Sequence, residues 1–367
     1  MVLGYGIDEV VDIVSRELSK RGYEATILTT EVKFPLADSK VNIKKLLPLH
    51  LSFLNDYWQR HFLTDVRSIN CFLRTVKEQD ILITCDPMHL VGCAAKIRLK
   101  KPVIMYFFGI TPYNVLESLE SKLEFFRQTL TWNSSFHFAD YIMTNSEHTK
   151  NLLPKNLRKK ALANYHGVEH LIGEKKAAEQ FKAKLGVEGK KLILSIGRFS
   201  TPYKGMKDVA RMFRELKEKR NDIALLLVGG GDVPKDVMNF RSSRDIHVLT
   251  NIPYSMLRLC LAACDIYCTA SRWEGFNIPL VAAQMNEKPI IAFKVGAHHE
   301  VAIDGRTGFL AENYKEFVGR LELLLNDDSL RINMGKEAAK FARKFSWQKS
   351  MKRLKLLIEA IRENYGF

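Results

Sequence analysis

Cysteine is sparse and unpatterned in this 367-residue sequence: six residues, at 71, 85, 93, 260, 264 and 268, with no C-x-x-C pair. Cys260 and Cys264 are four apart and share a helix face, but their neighbours are Leu and Ala. That points to buried reduced thiols rather than a zinc site or a disulfide framework. No run approaches the ~20 apolar residues of a membrane span. The opening M-V-L-G-Y-G-I-D-E-V lacks the basic and apolar regions of a signal peptide, so the expected compartment is the cytoplasm. Zinc-finger, RNA-recognition and helix-turn-helix signatures are missing, which removes nucleic acid from the expected partners. There are no repeats, no low-complexity tracts and no D-x-D string for a metal. The pair His298-His299 has no third partner at metal-ligand spacing.

What is present is a soluble, basic, globular composition. Apolar residues make up 46% and charged residues 26%, in the ordinary range for a packed chain, and the length suits two domains. The net charge is +15. The excess is spread over both halves: residues 1–168 carry 22 Lys and Arg against 17 Asp and Glu, and the remainder 34 against 24. Such a field favours anionic partners such as nucleotide diphosphates or a phospholipid surface.

The chain alternates short apolar runs with helical periodicity. Residues 7–21 have apolar positions at helical spacing and end at Gly22. Residues 24–30, 80–84, 102–107 and 141–144 read as strands, the last followed by a turn and a helix at 146–153. The pattern restarts with a strand at 191–196, a loop from Arg198 to Gly205 and a helix at 206–219. Strands at 224–228, 246–249, 266–269 and 289–293 follow, with helices at 255–263 and 278–286. This alternation predicts doubly wound parallel sheets. Apolar periodicity stops over 167–176, so the expected domains are 1–168 and 169–345, with an amphipathic segment at 346–367. The first half lacks room for a strand ahead of Gly4-Tyr5-Gly6, which predicts either a natural start further upstream or a sheet without its usual central strand; the former is expected, because losing a central strand would leave its neighbours' hydrogen-bonding edges open.

Two stretches carry candidate chemistry. L-I-L-S-I-G-R-F-S-T-P-Y-K-G places Arg198 and Lys204 after a strand. Arg offers a planar fork and Lys a point charge for phosphate oxygens; alone, the two would be ordinary solvated cations. S-R-W-E-G-F-N-I-P-L-V-A-A-Q-M places Glu274 and Gly275 between a strand and an apolar helix, with Pro279 in its first turn. Backbone N–H groups from Gly275 through Phe276, Asn277 and Ile278 are placed to face an anion, and Glu274 to accept hydroxyl hydrogen bonds. A plain carboxylate at a helix N-terminus is the bland alternative.

Together with the downstream string K-P-I-I-A-F-K-V-G-A-H-H-E-V, these stretches resemble the nucleotide-sugar half of the family-4 retaining glycosyltransferases with the GT-B fold (glycosyl transferases group 1). The resemblance covers roughly residues 140–365 well and the first half loosely. It implies an α/β fold of two doubly wound Rossmann-like domains facing a cleft, an N-terminal acceptor-side domain, a C-terminal nucleotide-sugar domain and a last helix crossing back. It implies metal-independent sugar transfer, of hexosyltransferase type, from a nucleotide-diphosphate sugar such as a UDP or GDP sugar, used as co-substrate with no further cofactor. Arg198, Lys204 and Glu274 would be the catalytic set. Gly4, Gly6, Gly197, Gly230, Asn251 and residues 275–278 would bind the donor. The Gly229-Gly230-Gly231-Asp232 and Asn251-Ile252-Pro253 turns match positions that frame the base in that family, and equally fit ordinary turns. Gly4 and Gly6 equally fit a simple helix start. His298 or His299 falls where a donor contact is conceivable, with a surface histidine as the expected reading.

Two departures matter. The family motif is E-x7-E, but the position eight after Glu274 is Ala282, where the family's carboxylate holds ribose hydroxyls. The family's strand-end His near the transferred sugar corresponds here to Phe108. These departures keep a second reading open: a relative that binds glycan, nucleotide or a partner subunit without turnover. Residues 40–74 combine Leu, Phe, Tyr and Trp with Lys44, Lys45 and Arg60, which fits core packing, acceptor-groove lining or contact with an anionic membrane. The acceptor suggested by this segment and the basic charge is a lipid-linked or envelope glycan.

Overall fold

The computed structural model describes residues 7–29, 41–45, 69–85, 89–238 and 244–367. They form two compact units. The N-terminal unit takes 7–110, Ser118–Asn164 and Ser350–Phe367; the C-terminal unit takes Thr111–Glu117 and Tyr165–Lys349. Gly4 and Gly6 lie outside the described residues, as does everything in 46–68, including Phe53, Tyr57, Trp58, Arg60 and Phe62 of the basic segment.

In the N-terminal unit, β1 (Thr26–Thr29) and β2 (Asn42–Lys45) pair in parallel. A second parallel sheet runs in the order β3 (Leu82–Cys85), β4 (Val103–Phe107), β5 (Tyr141–Thr144) and β6 (Ala161–Ala163). Every residue of β4 is buried, as a strand covered on both faces requires. Val103, Met105 and Phe107 share one core with Trp132 and Phe136 of the helix Leu119–Phe136. The sequence gives that 18-residue helix no clean amphipathic pattern, because Leu119, Leu123, Phe126 and Leu130 are exposed on its other side.

The helix Trp347–Tyr365 carries the last residues onto this unit. Asn164 Nδ2 donates to Ser350 Oγ at 3.0 Å and the Arg353 guanidinium to the Ala163 carbonyl at 2.9 Å. At its far end Tyr365 Oη donates to Asp140 at 2.8 Å, and Lys96 bonds both.

The C-terminal unit holds β7 (Lys191–Ile196), β8 (Ile223–Gly229), β9 (Ile246–Thr250), β10 (Ile266–Thr269), β11 (Ile290–Phe293) and β12 (Gly308–Ala311). All pairings between these strands are parallel, and the sheet order is β12-β11-β10-β7-β8-β9. Alternate side chains divide between two cores. Leu192, Leu194 and Ile196 face one, with Ala224, Leu226 and Val228; Ile193, Leu225 and Leu227 face the other. A period of two on a sheet with helices over both faces is what doubly wound means at the level of residues. The 167–176 stretch, where sequence periodicity fades, is well packed: Val168 and Leu171 are buried in the first of these cores. Just ahead of this stretch the chain crosses from one unit to the other at Asn164–Tyr165. Cys93, Cys260, Cys264 and Cys268 carry buried, free thiols. Among the described residues no helix is long and apolar enough to cross a membrane.

Candidate functional site

The chain order in the C-terminal sheet reverses between β7 and β10. From β7 the chain moves outward through β8 to β9; β10, β11 and β12 then build the other side. Ligands of open α/β sheets bind outside the carboxyl ends of the strands at such a switch point. The loop after β7 carries Arg198 and Lys204; the loop after β10 carries Glu274.

These loops are joined through their backbones before any side chain is considered. Gly205 has φ +66°, and a Cβ there would sit 2.2 Å from the Ala270 carbonyl oxygen, so only glycine fits the approach. The Arg272 N–H donates to the Tyr203 carbonyl at 2.8 Å. The loop after β11 closes from the other side. Gly296 has φ +52° and its absent Cβ would lie 2.1 Å from the Glu274 carbonyl oxygen, while the Ala297 N–H donates to that oxygen at 3.0 Å.

Held this way, the Glu274 carboxylate meets the Lys204 ammonium at 2.9 Å through Oε1 and 2.8 Å through Oε2. The pair is largely buried, with side-chain exposures of 18% for Lys204 and 9% for Glu274, so solvent screens it little. Burial pushes the Glu274 pKa up. The Lys204 charge, the His298 ring and hydrogen bonds from Lys204 and Ser271 together outweigh that and hold the carboxyl below its usual range. Glu274 is therefore ionised at neutral pH. Ser271 is a partner that sequence spacing does not single out; its Oγ is also 3.0 Å from Thr269 Oγ1.

Arg198 occupies the same strand end but is not drawn into this pair. It is exposed, and its guanidinium has no hydrogen bond or ion pair among the described residues. Gly197, Gly230 and Asn251 lie at the neighbouring strand ends, which backbone bonds tie together. The Gly197 N–H donates to Val228 at 3.0 Å, Phe199 to Gly230 at 3.1 Å and Asn251 to Gly229 at 2.9 Å. The Asn251 side chain accepts from the Gly231 N–H at 3.3 Å.

The 275–278 turn divides its tasks. Phe276 is buried, with its ring 6.0 Å from Tyr165, 5.4 Å from His166 and 5.5 Å from Phe345. It can offer a ligand only its backbone. Asn277 takes φ 70° and ψ 72° and caps the helix Ile278–Met285, its Oδ1 accepting from Leu280 N–H at 3.1 Å. With Pro279 lacking an N–H, Ile278 retains the N–H of the first helical turn that no side chain caps.

His298 is not on the surface, as the sequence suggests; it is fully buried. The short helix His298–Val301 turns it inward against Asn277, a contact 21 residues apart in sequence that no local spacing reveals. His299 is the exposed member of the pair, and Glu300 accepts from Tyr165 Oη at 2.7 Å. Ala282 is fully buried in an apolar core. Phe108 is half-buried in the N-terminal unit, stacked on Tyr106 at 4.9 Å. Among the described residues no group of three or more His, Cys, Asp or Glu side chains is placed to hold a metal.

Residues 177–341 match the family described as glycosyl transferases group 1, and residues 5–170 match glycosyltransferase family 4. An uncharacterized glycosyltransferase from Methanocaldococcus jannaschii is 27% identical over 280 residues, 75% of this chain and 73% of the relative. A trehalose synthase from Thermococcus litoralis is 33% identical over 159 residues, 40% of this chain and 38% of the relative. Among solved structures, a sucrose-phosphate synthase from Thermosynechococcus elongatus superposes with a TM-score of 0.83 at 16% identity, covering 98% of this chain and 94% of that one. HepE from Anabaena, in complex with UDP-glucose, superposes with a TM-score of 0.75 at 16% identity, covering 98% and 96%.

Proposed function

Since this chain belongs to the family-4 glycosyltransferases with the GT-B fold, we propose that it moves a sugar, with retention at the anomeric carbon, from a nucleotide-diphosphate donor to an acceptor hydroxyl. The observation that carries this is the Lys204–Glu274 pair at the switch point of the C-terminal sheet. One charge suits a diphosphate and the other suits sugar hydroxyls, and they lie within one hydrogen bond of each other.

In this reading Lys204 and Arg198 hold the diphosphate and stabilise the charge that grows on it as the glycosidic bond breaks, a gain specific to the transition state. Glu274 accepts from the donor sugar. The backbone at 275–278 adds donors, with the Ile278 N–H the best placed. The departing phosphate takes the acceptor proton on the face from which it leaves, and the protein supplies position and charge. Two cations at the diphosphate, Lys204 held by Glu274 and Arg198 exposed, would make a divalent metal unnecessary, and no cofactor beyond the sugar nucleotide is called for. UDP-glucose is the first donor to try, because HepE binds it on the same fold.

A lipid-linked or envelope glycan is the proposed acceptor, with peripheral contact at an anionic membrane favoured by the net charge of +15. The test is incubation with UDP-glucose, GDP-mannose and ADP-glucose, with and without lipid and glycan acceptors and EDTA. Proton NMR follows donor loss and the anomeric coupling of the product. Consumption of one donor in EDTA, with retained configuration, is expected; inversion or loss of turnover in EDTA would overturn those parts separately. Ala282 and Phe108 favour one rival, a binder without turnover. Nucleotide binding with no donor consumption under any condition would establish it.

A further inference from the structure

His298 and Asn277 form a hydrogen-bonded chain that admits one protonation state. His298 Nδ1 lies 2.6 Å from the Phe293 carbonyl oxygen, which only accepts, so Nδ1 carries a proton. Asn277 Oδ1 accepts from the Leu280 N–H at 3.1 Å. The Asn277 amide nitrogen, a donor, therefore faces His298 Nε2 at 2.9 Å, and Nε2 must be bare. A proton on Nε2 would set donor against donor. Turning the amide over would only move that conflict to Leu280. The two side chains are buried, so water does not relieve it.

We propose that His298 is a positioning residue of the donor site, acting through Asn277. Its unprotonated Nε2 fixes the Asn277 amide, and that amide holds the turn between Glu274 and the helix Ile278–Met285. Asn277 sits at φ 70°, a region that Asn tolerates better than other non-glycine residues, and the contact with His298 adds to what holds it there. It stands three residues from Glu274 and directly precedes the Ile278 N–H. The groups around the ring are mixed: Glu274 and the Phe293 carbonyl favour a second proton, while burial, Lys204 and His299 oppose it, and the opposing set prevails. The inference rests on the glycosyl-transfer reading only for its kinetic consequence.

Two measurements test it. In protein labelled with ¹⁵N-histidine, the His298 ring at pH 7 should show the Nδ1–H tautomer and should stay neutral well below the pH where free histidine titrates, about 6.5. In Asn277→Asp, where a carboxylate replaces the amide donor, Nε2 should gain its proton near neutral pH. An Nε2–H tautomer in the parent protein, or no change in Asn277→Asp, would overturn the proposal.

The second measurement is kinetic, with UDP-glucose as probe donor. Asn277→Gly keeps the positive φ without the amide, and His298→Leu removes the ring; thermal unfolding checks that each folds. Each should lower kcat about 10- to 100-fold, the scale of a misplaced site group, with KM changed less than about threefold. The double variant should be no worse than the worse single one, because both break the same chain. Independent, multiplying losses would overturn the proposal. If the parent protein turns over no sugar nucleotide, the functional reading fails while the ring tautomer still decides the positioning network.

Discussion

Lys204 Nζ sits 2.9 and 2.8 Å from the two carboxylate oxygens of Glu274, across the line where the C-terminal sheet reverses its strand order. Each residue neutralises the other. On the proposed reading, a sugar diphosphate would offer hydroxyls to Glu274 and phosphate oxygens to Lys204, replacing one ion pair with two charge-assisted contacts. Arg198, exposed and outside the pair, then adds charge at low cost.

The two cations should therefore separate in a stability assay. Arg198→Ala and Lys204→Ala should each cost about 10²–10³ in turnover, as for loss of one charge-stabilising donor. Lys204→Ala also leaves a buried carboxylate without its cation, which costs about 3–5 kcal/mol, whereas Arg198→Ala should unfold at the parent temperature. Turnover losses below tenfold in both would remove the diphosphate assignment. A Lys204→Ala protein as stable as the parent would show that Glu274 finds another partner.

Glu274→Gln should free the Lys204 ammonium while keeping the side-chain shape. Titration calorimetry with UDP should show tighter binding than in the parent, and turnover of UDP-glucose should fall by about 10²-fold or more. Weaker UDP binding would mean that Glu274 shapes the diphosphate site rather than occupying its cation.

The same carboxylate links stability to acid. The Glu274 pKa is lower in the folded chain than its ordinary 4.5, so the unfolded chain binds its proton first. Its contribution is complete above that ordinary value and is lost as pH falls through the folded pKa. Two buried histidines act higher in pH. Burial takes His166 from 6.5 down to about 3 and also lowers His298. Unfolding then takes up protons below about pH 6.5, and stability should decline steadily from there. Chemical denaturation between pH 7.5 and 3.5 should show this slope, and His166→Phe should flatten its upper part if the ring packing against Phe276 and Trp347 survives. A stability flat between pH 7 and 5 would contradict the assigned neutral states.

Much of this was legible in the sequence, for physical reasons that also mark where legibility stops. Strands such as β5, β7 and β10 announce themselves because both faces are buried and, apart from Lys191 at the start of β7, no residue in them is charged. Lys204 and Glu274 stand out because each follows such a strand beside a glycine. The helix Leu119–Phe136 does not stand out, since its apolar residues point both inward and outward. Nor does the role of His298, which depends on a loop from β11 folding back over the turn after β10. The closeness of that approach is written in Gly296, but a glycine in a sequence does not say which carbonyl it makes room for.

Ala282 offers the sharpest test of how far the family pattern can be restored. The family's second carboxylate belongs at this position, yet Ala282 has no exposed surface and sits in an apolar core with Leu280, Val281 and Ala283. Ala282→Glu would place a charge in that apolar core. The group would either take up a proton or force the helix Ile278–Met285 to shift, and either costs at least about 3 kcal/mol. The expected result is a Tm several degrees lower and UDP binding no tighter than in the parent. A protein that keeps its Tm and gains UDP affinity would show that a short turn of this helix brings position 282 to the ribose, and that the chain lacks only the carboxylate there.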